Sequence, residues 1–275
     1  MLKTRLITAS FLIAILLAAL FYSSNMVWSF ISGTFALFGF WEWGRIIKLN
    51  NRAQQSFMVA ALAVSLFLIH AFNTTYAHFN ERAVLSLISL AALIWLILVP
   101  YLLSTQSPIS QNKPLMTLVG FILLSATLIA FLGLHRISPW LLLGVIATVS
   151  IADSSAYFAG KNFGKHKLAP TISPGKTWEG VLGALIAVTI FGLLLRHFLH
   201  YSGWLLIGLW CITIVSVMGD LFESKLKRQA HLKDSGQILP GHGGVLDRID
   251  GLMPATSLTL FYIYLPLIIS PNFPF

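Results

Sequence analysis

Charged side chains are scarce in this sequence. Asp, Glu, Lys and Arg make up 10% of the 275 residues, whereas soluble domains carry roughly 25%. Hydrophobic residues account for 57% of the chain, and the mean hydropathy is +0.82. This scarcity of charge excludes an ordinary soluble domain and indicates that lipid surrounds most of the chain.

Cysteine is almost absent as well. Cys211 is the only one, and it lies within an apolar run. A single cysteine excludes an internal disulfide, and the sequence contains no spacing typical of a zinc site.

Acidic residues are missing from most of the first half of the chain. Of nine in total, only Glu42 and Glu81 precede residue 150. We therefore interpret residues 1–275 as a single membrane domain, in which 1–135 are mainly scaffold helices and 136–275 form the catalytic helices and cytoplasmic loops.

The net charge of +9 comes from basic residues in short segments between apolar stretches. This distribution is typical of membrane topology, so we predict no nucleic-acid partner. A helix that crosses a bilayer needs about 20 mostly apolar residues. Nine stretches meet this criterion and predict an all-α, polytopic membrane protein; they are residues 6–22, 27–44, 57–73, 84–103, 115–134, 138–159, 178–198, 204–221 and 252–269.

The basic residues also predict the orientation of these spans. With the N-terminus inside, only Arg82, Arg136 and Arg196 fall outside, and the other 15 of the 18 lie inside. Cytoplasmic segments are enriched in Lys and Arg. The sequence therefore predicts a cytoplasmic N-terminus and an outside C-terminus. Together with the compact length and the resemblance described below, it predicts a multi-pass protein of a bacterial inner membrane.

Two inside loops contain all seven remaining acidic residues. The first extends from Asp153 to Gly180, and the second from Gly219 to Asp250. Residues three and four apart share one face of a helix, which predicts a common face for four polar side chains of the second loop. They are Asp220, Glu223, Ser224 and Lys227. Carboxylates interleaved with lysines suit Mg²⁺ and phosphate oxygens together.

A glycine run follows in the second loop. Gly241, Gly243 and Gly244 flank His242, and Asp247 and Asp250 come three residues apart just after them. Such a run lets backbone N–H groups approach a phosphate closely. The spacing of a Walker A loop is absent, so the chemistry predicted is phosphoryl or nucleotidyl transfer without a P-loop.

The spacing of these polar residues resembles a family signature. Residues 224–228, 233–236 and 242–250 resemble the signature of the phosphatidate cytidylyltransferases, and 173–180 and 41–43 resemble further segments of that family. The resemblance covers most of the chain and is strongest between residues 150 and 252.

The resemblance implies a reaction and a set of residue roles. CTP and phosphatidic acid, within membrane lipid, would yield CDP-diacylglycerol and pyrophosphate with the help of one or two Mg²⁺ ions, and the enzyme would form a homodimer. The implied catalytic residues are Asp220, Asp247, Lys227, Arg228 and Asp250; the implied metal ligands are Asp220, Asp247, Asp153 and Glu223. The implied substrate-binding residues are Ser173, Lys176, Thr177, Ser224, Lys233, Asp234, His242, Gly243, Gly244 and Arg248.

Two other functions stay open. A CTP-dependent polyprenol or phytol kinase would release CDP, but the full signature from residue 224 to 250 disfavours it. A transporter with intramembrane acids is disfavoured because the acids cluster towards one face and no internal repeat is found.

Several residues also have ordinary structural interpretations. Thr177 can cap the seventh predicted helix and Glu179 can favour its N-terminus. Glu42, between two tryptophans, can lie at the depth of the lipid headgroups. Asp153 can be a hydrogen-bonded residue between helices.

Overall fold

The fold is a bundle of helices with one small hairpin. The computed structural model describes residues 13–73, 77–105, 108, 112–200, 202–238 and 243–269. The helices are α1 (Ile13–Tyr22), α2 (Asn25–Ile46), α3 (Asn51–Asn73), α4 (Ala77–Leu93), α5 (Val99–Ser104), α6 (Lys113–Ile137), α7 (Pro139–Phe163), α8 (Trp178–Leu199), α9 (Trp204–Ala230), α10 (Leu246–Ile249) and α11 (Leu252–Ile269). A π-helical turn (Ile94–Leu98) joins α4 to α5.

The helical class predicted from the sequence is confirmed, with one addition. Strands β1 (Lys167–Ala169) and β2 (Ser173–Thr177) form an antiparallel hairpin between α7 and α8. Lys167 pairs with Thr177, and Ala169 pairs with Ser173. This hairpin places a polar segment beside the ends of α7 and α8.

Six helical segments are long and apolar enough to cross a membrane within the described residues. They are Asn51–Asn73, Arg82–Ser104, Lys113–Ile137, Pro139–Phe163, Trp178–Leu199 and Trp204–Ala230. Shorter apolar helices lie at Ile13–Tyr22 and Leu252–Pro266. The start of the first predicted span, residues 6–12, lies outside the described part of the chain. Nine spans and their orientation stay a prediction.

Helix α6 forms the centre of the bundle. Within its apolar stretch of 18 residues, 72% are buried inside the protein. The helix packs against α2, α3, α4, α7 and α11. Trp28 Nε1 of α2 donates to Phe131 O at 3.2 Å, and Trp43 Nε1 donates to Met116 O at 2.9 Å. The indole of Trp43 lies against Gly120, where a side chain would collide with it. These contacts fix α2 antiparallel to α6.

Helix ends that the sequence places on the same side of the membrane contact each other. Each contact joins a polar side chain to a backbone carbonyl at the end of another helix. On the predicted inside they are Lys113 Nζ to Lys48 O at 2.8 Å and Lys225 Nζ to Leu102 O at 2.6 Å; on the predicted outside they are His135 Nε2 to Leu20 O at 2.9 Å and Arg136 Nη1 to Phe72 O at 2.6 Å. The packing therefore agrees with spans that alternate in direction.

Candidate active site

Helix α9 carries the polar face that its spacing predicts. Ser224 Oγ donates to Asp220 Oδ1 at 3.2 Å, one turn before it. Lys227 Nζ lies 2.8 Å from Glu223 Oε2, again one turn before it. Four side chains of α9 thus line one face near its C-terminal end.

Lys227 joins this face to the loop that follows. Its Nζ contacts Glu223 and also lies 2.6 Å from Asp247 Oδ1. Glu223 is fully buried, and the side chain of Asp247 is 9% exposed. A buried acidic side chain without a partner is costly, so Lys227 stabilises Glu223 and Asp247 at once.

Asp247 is held by backbone amides as well as by the lysine. Ser235 N donates to both carboxylate oxygens at 3.0 and 3.1 Å, and Gly244 N donates to Oδ2 at 2.8 Å. Burial raises the pKa of Asp247, but hydrogen bonds from Lys227 and the two amides outweigh it, so the net pKa lies below its ordinary value. Asp247 is therefore an ionised carboxylate in a fixed orientation.

A second lysine joins α9 to the hairpin. Lys176 Nζ of β2 lies 2.6 Å from Asp220 Oδ2. Asp153 of α7 is exposed and lies within electrostatic reach of both groups. The two loops predicted to hold the polar residues therefore meet in space, and Asp220 and Asp247 belong to one network.

Asp250 lies close to Asp220 and Glu223 of α9. Burial, and next the negative charge of Asp220, raise the pKa of Asp250 to about 7. Glu223 also interacts with it through its side chain. A cation bound nearby would offset this repulsion and favour the ionised form of Asp250.

The donor set fits a divalent ion held in part by substrate. Among the described residues, no three acidic, histidine or cysteine side chains converge closely enough to hold a metal ion by themselves. Mg²⁺ is usually held by one or two carboxylates plus phosphate oxygens and water. Asp220 and Asp250, whose charges repel each other, provide such a pair.

The hairpin is fixed to the N-terminus of α8. Thr177 Oγ1 accepts a hydrogen bond from Gly180 N at 3.1 Å, which confirms its predicted capping role. Glu179 accepts from His166 N at 3.2 Å and lies 2.6 Å from His166 Nδ1. Glu179 thus ties the start of the hairpin to α8, beyond its favourable position at the helix N-terminus. Ser173, half-buried, begins β2 in the same hairpin.

Further basic predicted residues lie on the exposed side of the network. Arg228, Lys233 and Arg248 are exposed, and Arg228 Nε donates to Ile172 O of the hairpin at 3.4 Å. His242 lies outside the described residues. Gly243 has a φ of 80°, a conformation that favours glycine.

A cavity of about 600 Å³ adjoins this exposed side. Trp41 and Arg45 of α2 line it together with Lys233 and Asp234. The Arg45 guanidinium lies 4.8 Å from the centre of the Trp41 ring. Sequence reasoning took Arg45 only as a topology signal and assigned Trp41 no binding role, and no spacing pattern links α2 to residues 233–234.

Glu42 has a role that the sequence analysis did not assign. Its side chain is fully buried within the protein, and its location at headgroup depth stays a prediction. Its carboxylate accepts hydrogen bonds from Ser235 Oγ at 2.9 Å, Val245 N at 3.1 Å and Leu246 N at 2.7 Å. The signal in the sequence was a carboxylate in an apolar span, which is seldom accidental.

The comparisons with known proteins cover nearly the whole chain. The Cytidylyltransferase family matches residues 3–266. A phosphatidate cytidylyltransferase of Haemophilus influenzae is 37% identical over 291 residues, which cover 96% of this chain and 99% of that protein. A protein of the same name from Pseudomonas aeruginosa is 37% identical over 265 residues, covering 93% and 94% of the two chains. A third, from Bacillus subtilis, is 41% identical over 176 residues, covering 60% of this chain and 65% of that protein. With matches of this extent, the chain belongs to the cytidylyltransferase family.

Proposed function

We propose that this membrane enzyme transfers the cytidylyl group of CTP to phosphatidic acid, forming CDP-diacylglycerol and pyrophosphate. The observation that carries the proposal is the network through Lys176, Asp220, Asp250, Lys227 and Asp247, which joins both polar loops. Curated relatives named phosphatidate cytidylyltransferase support the same reaction.

The reaction needs positioning and charge neutralisation more than proton transfer. An oxygen of the lipid phosphate attacks the α-phosphorus of CTP, and the bond from that phosphorus to pyrophosphate breaks. Since the lipid phosphate is already an anion at neutral pH, no general base is assigned. Lys176 and Lys227 hold the carboxylates in place, and the exposed Arg228, Lys233 and Arg248 provide positive charge for the phosphates.

We assign the metal site to Asp220 and Asp250. Glu223 and Asp247 are buried against Lys227, whereas the side chain of Asp220 is 33% exposed although it contacts Lys176. Asp153 lies near enough to Asp220 to assist. When bound, Mg²⁺ would withdraw charge from the phosphates and from the leaving pyrophosphate.

The nucleotide is assigned to the cavity beside α2. Trp41 offers an aromatic face, and Arg45 and Lys233 offer cations to a triphosphate. The lipid is assigned to the side of Asp153, which is exposed on a helix that otherwise suits lipid.

The proposed topology is nine spans with a cytoplasmic N-terminus and active site, in the inner membrane. The alternating contacts between helix ends support it. A homodimer is proposed from the family resemblance, and light scattering of the detergent-purified protein would measure it.

The reaction is tested by measuring pyrophosphate and CDP release by purified protein with CTP, Mg²⁺ and phosphatidic acid. We expect lipid-dependent pyrophosphate release that is lost with a metal chelator and falls at least about a hundredfold in Asp247→Asn. CDP release with an added polyprenol, and no pyrophosphate with phosphatidic acid, would assign a kinase. If neither pyrophosphate nor CDP is released, the transporter hypothesis is favoured instead.

A further inference from the structure

We propose that Glu42 is a positioning residue that holds both ends of the glycine loop and thereby sets the orientation of Asp247. The glycine loop is defined as residues 236–243, between Ser235 and Gly244. Residues 239–242 lie outside the described part of the chain, so the proposal concerns the two ends of the loop. The proposal rests on the proposed function only for its effect on turnover, because the contacts themselves are independent of the reaction.

The carboxylate of Glu42 spans the two ends of this loop. Oε2 accepts from Ser235 Oγ before the loop and from Leu246 N after it, at 2.9 and 2.7 Å. Oε1 accepts from Val245 N at 3.1 Å. A carboxylate that accepts several hydrogen bonds in a buried place is strongly oriented, because each donor is costly to leave unpaired.

Ser235 connects Glu42 to Asp247. Its hydroxyl donates to Glu42 and accepts from Asp247 N at 3.3 Å, and its amide donates to the Asp247 carboxylate. A shift of Glu42 would therefore move Ser235 and, through it, the carboxylate that contacts Lys227.

The loop ends leave space for this carboxylate and for little else. A side chain at Gly236 would come within 2.2 Å of Glu42 Oε1. One at Gly244 would come within 2.1 Å of Ser235 Oγ and 2.5 Å of Glu42 Oε1. These two glycines are thus explained by close approach to a carboxylate, in addition to any approach to phosphate.

Helix α2 supplies a rigid base for Glu42. The next residue, Trp43, is fully buried and donates its indole N–H to Met116 O of the central helix. Since all three donors already occupy the two oxygens of Glu42 and the residue is fully buried, it acts through its neighbours and not on the substrate.

The test combines amide exchange with kinetics on Glu42→Gln, which keeps the shape of the side chain and removes its charge. The matched control is Trp28→Phe, which removes a partly buried hydrogen bond of α2 at the opposite end of the helix. Hydrogen–deuterium exchange is measured on detergent-purified protein in peptides covering residues 232–251 and 113–137.

We expect Glu42→Gln to speed exchange in the peptides of residues 232–251 while those of 113–137 stay as in wild type. We expect kcat to fall about tenfold or more, with a smaller change in KM for CTP. The double variant with Ser235→Ala should lose less kcat than the product of the two single losses. Trp28→Phe should alter neither the loop exchange nor kcat.

Unchanged amide exchange of residues 232–251 in Glu42→Gln would overturn the proposal, as would equal acceleration in both sets of peptides. A double variant whose loss of kcat equals the product of the two single losses would overturn it as well. Because exchange is measured without substrate, a wrong assignment of the reaction would leave this part of the result intact.

Discussion

Two lysines of α9, two positions apart, have different tasks. Lys227 contacts two carboxylates of the site, whereas Lys225 is buried and donates to the backbone oxygens of Leu102 and Thr105 at the end of α5. Both lie inside the family signature. A signature position can therefore serve packing, and the pair offers a comparison of a site residue with a structural one.

We expect Lys227→Met to abolish pyrophosphate release and to destabilise the protein by about 3–5 kcal/mol, because Glu223 and Asp247 would be buried without their common partner. Thermal unfolding in detergent and the product assay measure the two effects. Adding Glu223→Gln should recover part of the stability, since one of the two unpaired charges is then removed.

Lys225→Met is the matched control for this prediction. It should cost about 1–3 kcal/mol of stability through the lost hydrogen bonds to α5, while the folded fraction keeps its kcat. Equal loss of kcat in the two variants would contradict a special role of Lys227.

Residue spacing predicted the local part of this site and could not predict the rest. The contacts of Asp220 with Ser224 and of Glu223 with Lys227 follow from a helical repeat. Contacts between Glu42 and Ser235 join residues 193 positions apart, and no periodicity carries such information. The pairing of Lys176 with Asp220 depends likewise on how α7, α8 and α9 pack.

The β1–β2 hairpin is the element that the sequence analysis did not predict. Its strands are three and five residues long, and the run Ser-Pro-Gly-Lys-Thr has the composition of a loop. Contacts with neighbouring helices hold it in place. They are the Thr177 cap, the Glu179–His166 contact and the hydrogen bond from Arg228 to Ile172. Tertiary contacts therefore decide its structure.

We expect Thr177→Val to lower stability by about 1 kcal/mol through loss of the helix cap. The hairpin that carries Ser173 and Lys176 would be held less firmly, so KM for the substrate should rise more than kcat falls. Initial rates at varied CTP and varied phosphatidic acid measure this.

Thr189→Val on the same helix is the control for the hairpin prediction. Its hydroxyl donates to Leu185 O and accepts from Trp210 Nε1, away from the hairpin. A similar rise of KM in this variant would show that general loosening of α8, and not the cap, is responsible.

At the scale of the whole molecule, the central helix α6 is buried far more than the helices that carry the site. The apolar window of α6 is 72% buried, whereas those of α7, α8 and α9 are 28%, 22% and 28% buried. The helices that carry Asp153, Glu179 and Asp220 therefore lie at the periphery of the bundle, while the central helix carries none of the predicted site residues.

The proposed topology predicts which cysteines an impermeant reagent reaches. In a Cys211→Ser background, Ser202→Cys between α8 and α9 should react with an impermeant maleimide in intact spheroplasts, and Arg52→Cys at the start of α3 should react only after permeabilisation. Both positions are exposed in the structure. The reverse pattern would show the opposite orientation in the membrane. Labelling of both cysteines in intact spheroplasts would contradict the number of spans.

The exposure of Asp153 on α7 has a consequence for how the enzyme meets its lipid. A substrate that enters sideways arrives by diffusion within the bilayer, so its effective concentration is a surface density and not a bulk molarity. In the proposed reaction, diluting phosphatidic acid with inert lipid at constant total amount should slow turnover, and the half-saturating quantity should be a mole fraction. The kinetics would then follow the composition of the membrane, and the enzyme would respond directly to the enrichment of its own substrate there.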